Sequence, residues 1–125
     1  MKIPHILIVD DEPNIVMSLE FLMRKNGYLV GIARNGTEAL AAIARTPYDL
    51  VLLDVMMPDV DGYQVCQQLR ERPDTAGTKV IFLSAKSRDA DVQKGYAVGA
   101  DLYIPKPFST RQLMEKVREL LAIAA

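Results

Sequence analysis

Three acidic side chains, a serine and a lysine, spread over most of the chain, are the residues that could do chemistry here. The stretch "ILIVDDE" (6–12) runs four apolar residues straight into Asp10, Asp11 and Glu12. "VLLDVMMPDVDG" (51–62) ends an apolar run at Asp54, "VIFLSAK" (80–86) ends one at Ser84, and "YIPKPF" (103–108) sets Lys106 behind another. Carboxylates crowded together repel, and some take up protons unless a cation joins them. A hard divalent ion resolves the repulsion, and carboxylate oxygens completed by water and a phosphoryl oxygen suit Mg²⁺. In such a site Asp54 is the carboxylate able to attack phosphorus and become an acyl phosphate. Ser84 offers a hydroxyl donor and Lys106 an ammonium, both suited to phosphoryl oxygens. Metal and lysine together would offset the charge on the transferring group.

This chemistry requires residues 10, 11, 54, 84 and 106 to meet, and the intervening pattern says how they can. Strand-sized runs of β-branched and aliphatic residues occur at 3–9, 28–33, 50–53, 79–83 and 102–104. Helical spacing fills the gaps: Ile15, Leu19, Leu22 and Met23; Ala39, Leu40 and Ile43; Val65, Cys66 and Leu69; Leu113, Val117, Leu120 and Leu121. A fifth, poorer helical stretch spans 87–98. Strict alternation predicts an α/β fold, a doubly wound five-stranded parallel sheet with five helices on its two faces, which is why the middle strands are apolar throughout. Periodicity does not fix the strand order; 2-1-3-4-5 is one of the common solutions. Ligands bind such sheets beyond the carboxyl ends of the strands, where the order reverses, and the polar groups fall at those ends.

Local signals punctuate the elements. Pro13 suits a first helical turn, Gly27 and Gly99 sit where helices should end, and Ser109 followed by Gln112 makes a capping box. Asp11 or Glu12 could cap the first helix, a role compatible with metal binding. The fourth helix is the weak one. Val92, Tyr96 and flanking alanines form its only plausible inner face, and Gly95 inside it costs about 1 kcal/mol relative to alanine. A loosely held helix is one that a switch can move.

The totals narrow the function classes. The 125 residues fit one domain, 1–125, with half of them apolar. Fifteen basic residues against sixteen acidic ones leave a net charge of -1 without a like-charge block, so neither nucleic acid nor an anionic membrane is expected as a partner. Cys66 stands alone and falls on an apolar helical stripe, which points to packing rather than disulfide or redox chemistry. His5 is the only histidine and is expected to be structural or superficial; Asp59 and Asp61 look like turn acids without chemistry. No signal peptide or membrane span is visible, and a soluble cytoplasmic protein is expected.

Taken together, "ILIVDDE", "DLVLLDVMMPDVDG", "VIFLSAK" and "GADLYIPKPF" resemble the receiver domain of bacterial response regulators, of the chemotaxis-regulator type, over essentially the whole chain. The resemblance implies a flavodoxin-like receiver domain of two-component signalling, with strand order 2-1-3-4-5. It implies that a histidine kinase or histidine phosphotransfer protein donates a phosphoryl group from a phosphohistidine to Asp54. Asp10, Asp11, Asp54 and the main-chain carbonyl of Met56 would hold Mg²⁺, and Lys106 would pair with the phosphate. Ser84 stands where threonine is more common, and Tyr103 matches the aromatic that swings inward as the hydroxyl is drawn to the phosphate. A cis Lys106–Pro107 bond is also implied. The output would be a shift of the fourth helix, fifth strand and fifth helix that changes protein partners, including a phosphorylation-dependent homodimer. Met56 and Lys86 occupy the two positions that influence hydrolysis of the phosphate, and Met56 offers nothing to orient a water, so slow self-dephosphorylation is expected.

Two other classes compete. A Mg²⁺-dependent aspartyl-phosphate phosphatase resembling the haloacid dehalogenases would place its acids as D-x-D on the first strand, whereas here they are adjacent and the best nucleophile is on the third. A flavin module would place Ser, Thr or Gly donors after the first strand, where this chain has acids.

Overall fold

The computed structural model describes residues 2–124. Strands and helices alternate: β1 (His5–Val9), α1 (Pro13–Lys25), β2 (Leu29–Ala33), α2 (Gly36–Arg45), β3 (Leu50–Leu53), α3 (Gly62–Glu71), β4 (Lys79–Ser84), α4 (Asp89–Ala97), β5 (Leu102–Pro105) and α5 (Thr110–Ala124). All strand pairs are parallel and the order is β2-β1-β3-β4-β5, as the pattern and the resemblance anticipated.

Alternation along each inner strand feeds two cores. Leu7, Val9, Val51, Leu53, Val80 and Phe82 face α2, α3 and α4, while Ile6, Ile8, Leu50, Leu52, Ile81 and Leu83 face α1 and α5. Both faces are buried, so the inner strands have no polar side to show. Sequence reversal between β1 and its two neighbours, β2 and β3, opens the crevice at the carboxyl ends of β1 and β3.

Several boundaries move by one or two residues. β1 starts at His5 rather than Ile3, because Pro4 has no N–H to give a ladder and Ile3 is exposed. β2 starts after Tyr28, whose N–H turns back to Met23 O behind Gly27. Gly27 and Gly99 take φ of +89° and +105°, the left-handed geometry that ends α1 and α4. The Ser109 hydroxyl accepts from Gln112 N at 3.3 Å, which is half of the expected capping box. Glu12 precedes α1 but makes no side-chain cap, so the capping role considered for it is not taken.

α4 departs most from expectation. Gly95 is its buried residue, and Tyr96, expected to face inward, is 45% exposed. The reason is steric: a Cβ on Gly95 would come within 2.6 Å of the Tyr103 ring, so the glycine sits at the closest approach and Tyr96 is turned to the rim. Among the described residues no helix is long and apolar enough to cross a membrane.

Candidate functional site

Parallel strands deliver their last residues to one edge, and the ladder continues just past β1 and β3 to hold the acids there. Asp10 N donates to Ala33 O at 3.1 Å and Asp54 N to Val9 O at 3.0 Å. Asp10 is almost wholly buried; its Oδ1 accepts from Glu12 N at 2.9 Å and its Oδ2 from Lys106 Nζ at 2.8 Å. The same ammonium lies 3.9 Å from Asp54 Oδ2. Asp11 is exposed, yet one oxygen from each of Asp10, Asp11 and Asp54 lies within 4.8 Å of the others.

Lys106 faces both Asp10 and Asp54, and burial makes the crowding of carboxylates costly. Desolvation pushes the Asp54 carboxyl from its ordinary value up to about 6, with Lys106 opposing the rise and Asp10 adding to it. The main-chain N–H groups of Met56 and Val55 also favour its charged form. Clustered hard oxygen donors with surplus negative charge are the donor set a small divalent cation takes, so the residues present fit Mg²⁺.

Ser84 is fully buried at the end of β4, and Lys106 follows β5, its N–H bonded to Ser84 O at 2.9 Å. The Lys106–Pro107 bond is cis, as the resemblance implied. The Lys86 main chain stands between the two switch candidates: its N–H donates to Ser84 Oγ at 3.1 Å, and its carbonyl, in the next peptide group, accepts from the Tyr103 hydroxyl at 2.6 Å. Tyr103 lies inward, its ring 5.6 Å from that of Phe82. Beside the acids opens a cleft of about 490 Å³ between the 55–61 loop, Lys86 and Lys94. The Met56 side chain is exposed over this cleft, while Met57 packs against the α2–α3 core.

The remaining candidates lie elsewhere. His5 begins β1, at the opposite end of the strand, with its ring 4.5 Å from that of Tyr48. Cys66 is buried in α3 and its thiol is pushed up to about 11 by burial, as a packing residue should be.

Two acids read as plain turn residues have definite work. Asp61 is the N-cap of α3 in a complete capping box with Gln64, a D-x-x-Q spacing that was visible in the chain. Asp59 accepts from Gly36 N at 3.1 Å and Thr37 N at 2.9 Å, and also from the Thr37 hydroxyl. No local spacing announces a cap supplied from 22 residues away. Tyr63 was also missed: its hydroxyl donates to Asp91 O at 3.0 Å and Lys94 Nζ lies 4.7 Å above its ring.

Comparison with known proteins agrees with this geometry. A family model described as the response regulator receiver domain matches residues 6–118. The transcriptional regulatory protein ResD of Bacillus subtilis is 42% identical over 120 residues, covering 96% of this chain and 49% of that protein. The chain thus spans about half the length of the curated relatives it matches. A CheY-like response regulator receiver domain protein from Methanospirillum hungatei superposes with a TM-score of 0.93 at 32% identity, covering 98% of this chain and 97% of that one. The signal receiver domain of a signal transduction histidine kinase from Syntrophus aciditrophicus does so with 0.89 at 37% identity, covering 95% and 90%.

Proposed function

The chain belongs to the response regulator receiver domain family, and from that premise we propose that it is a phosphorylation-controlled signalling switch whose phosphoacceptor is Asp54. The observation that carries the reading is the convergence of Asp10, Asp11 and Asp54 on one sheet edge, with Lys106 bonded to the buried Asp10 and close to Asp54. The donor is a phosphohistidine of a histidine kinase or phosphotransfer protein. An Asp54 carboxylate oxygen attacks phosphorus, the P–N bond breaks, and its electron pair leaves with the imidazole, which takes up a proton. The product is an aspartyl phosphate. With its carboxyl at about 6, Asp54 is mostly ionised and nucleophilic near neutral pH. Asp10, Asp11, Asp54 and the Met56 carbonyl would hold Mg²⁺, which when bound supplies positive charge to the phosphoryl oxygens.

Phosphorylation places a group of charge near -2 at residue 54. Lys106 and Ser84 then have a stronger partner than they have now. Drawing Ser84 Oγ away would break its bond from Lys86 N, and the carbonyl of the same residue holds the Tyr103 hydroxyl. This is how the signal would reach α4, β5 and α5 and alter a protein-binding face. Moving a population from 1:99 to 99:1 takes about 5.5 kcal/mol, and two or three charge-assisted hydrogen bonds are of that order. The reaction is a regulatory modification with self-dephosphorylation rather than turnover of an external substrate. Because Met56 is exposed and apolar, that hydrolysis is slow, and Met56→Asn should shorten the lifetime of the adduct.

The deciding experiment is incubation with Mg²⁺ and acetyl phosphate, followed by intact mass. A single phosphoryl adduct on the wild type and none on Asp54→Asn is expected. An adduct that persists in Asp54→Asn, or none on the wild type, overturns the assignment.

A further inference from the structure

The loop that follows Asp54 has to present both the N–H groups aimed at its carboxylate and the Met56 carbonyl. Two local devices shape this loop. Gly62 N closes it on Val55 O at 2.9 Å, and the absence of a Cβ at Gly62 lets α3 start against the Asp54 carbonyl. Neither fixes the outer end, residues 57–60, relative to the sheet. Asp59 does. Its two oxygens take the N–H groups of Gly36 and Thr37 in the first turn of α2, together with the Thr37 hydroxyl. Next to it Val60 packs on Gly36 so closely that any Cβ there would strike the Val60 carbonyl.

The first turn of a helix has N–H groups without intrahelical partners and carries partial positive charge, so it binds a carboxylate well. α2 divides this task. Asn35, its own N-cap, serves Glu38 N at 2.8 Å, while the two N–H groups before it go to Asp59. Those bonds hold the Asp59 carboxyl below the usual carboxylate range, the Thr37 hydroxyl contributing most. The acid stays charged wherever Asp54 can react.

We propose that Asp59 is a positioning residue for phosphoryl transfer: by anchoring the 55–61 loop to the N-terminus of α2, it sets the Met56 carbonyl and the loop amides in register with the carboxylate cluster. The inference rests on the phosphoacceptor reading and adds to it a residue outside the cluster, on which metal affinity depends.

The test is a Mg²⁺ titration of the full chain, read by the amide resonances of residues 9–12 and 54–57, for the wild type and four variants. Asp59→Ala removes the anchor and Asp59→Asn keeps one acceptor oxygen. Asn35→Ala weakens the same helix end without touching the loop. Asp61→Asn removes an equal charge from the same loop while keeping an equally good N-cap. Outer partners of metal ligands typically carry about tenfold or more in affinity. Asp59→Ala should therefore weaken Mg²⁺ binding about tenfold, Asp59→Asn less, and the two controls not at all. The proposal is overturned if Asp59→Ala binds as the wild type does, or if Asn35→Ala or Asp61→Asn weakens binding equally, since the cause would then be helix stability or charge. If the wild type itself binds no Mg²⁺, the phosphoacceptor reading falls, and the proposal with it.

Discussion

α3 and α4 follow successive strands on the same face of the sheet, with ten and nine residues, and different forces hold them there. α3 buries Tyr63, Val65, Cys66 and Leu69 and begins with a complete capping box. At its other end Arg70 reaches the carbonyls of Gly99, Ala76 and Thr78 and pairs with Asp101 at 3.0 Å. α4 has no side-chain cap and buries only Gly95. Its attachments are directional: Tyr63 hydroxyl to Asp91 O, Tyr103 N to the Tyr96 hydroxyl at 3.1 Å, and Tyr103 hydroxyl to Lys86 O in the preceding turn. Apolar burial can be lost only by exposing surface to water, whereas a hydrogen bond can be exchanged for another at small net cost. The difference teaches where the molecule can move: α3 behaves as part of the scaffold, and α4 as the element free to change position.

That contrast can be broken by experiment. Leu69→Ala should cost about 3 kcal/mol in denaturant melts, because it leaves a cavity in a core that cannot close over it. A loss near zero would deny α3 its scaffold role. Gly95→Ala should cost about 2 kcal/mol by forcing α4 and the Tyr103 ring apart. The α4 and β5 amides should shift in NMR spectra while those of α3 stay in place.

Asp54 sharpens the comparison through pH. Its folded carboxyl titrates at about 6 against 3.8 unfolded, so between those values the folded state binds more protons and stability falls as pH rises. In metal-free buffer, Asp54→Asn should be more stable than wild type by about 1–2 kcal/mol above pH 6, and the gain should vanish below about pH 4. Hydrogen exchange should register that gain in α3, which opens with the whole domain, and not in α4, which opens locally. Smallest is Tyr63→Phe, expected to cost about 1 kcal/mol by freeing one carbonyl of α4. Faster exchange of the α4 amides is the expected readout; unchanged exchange there would deny the bond a part in holding the helix.

Much of the site was legible before any coordinates because its members end strands. In a parallel sheet every strand points the same way, so Asp10, Asp54 and Ser84, each at the close of an apolar run, must share an edge. α4 was legible as weak but not in its rotation. A glycine in a helix reads as a cost until the neighbour it admits, here Tyr103 on another strand, is known. Asp61 was legible and overlooked, since its partner Gln64 lies three residues on.

The amino-acid order alone determined the alternation of elements, the strand ends that bear charge and the absence of a strong inner face on the fourth helix, because period and composition are properties of neighbours in the chain. Only the tertiary structure decided that Lys106 rests on Asp10, that Asp59 caps a helix 22 residues earlier, and that the main chain of Lys86 links Ser84 to Tyr103. Each of those contacts joins segments brought together by packing two cores on one sheet. Their partners are chosen by geometry that no local spacing encodes.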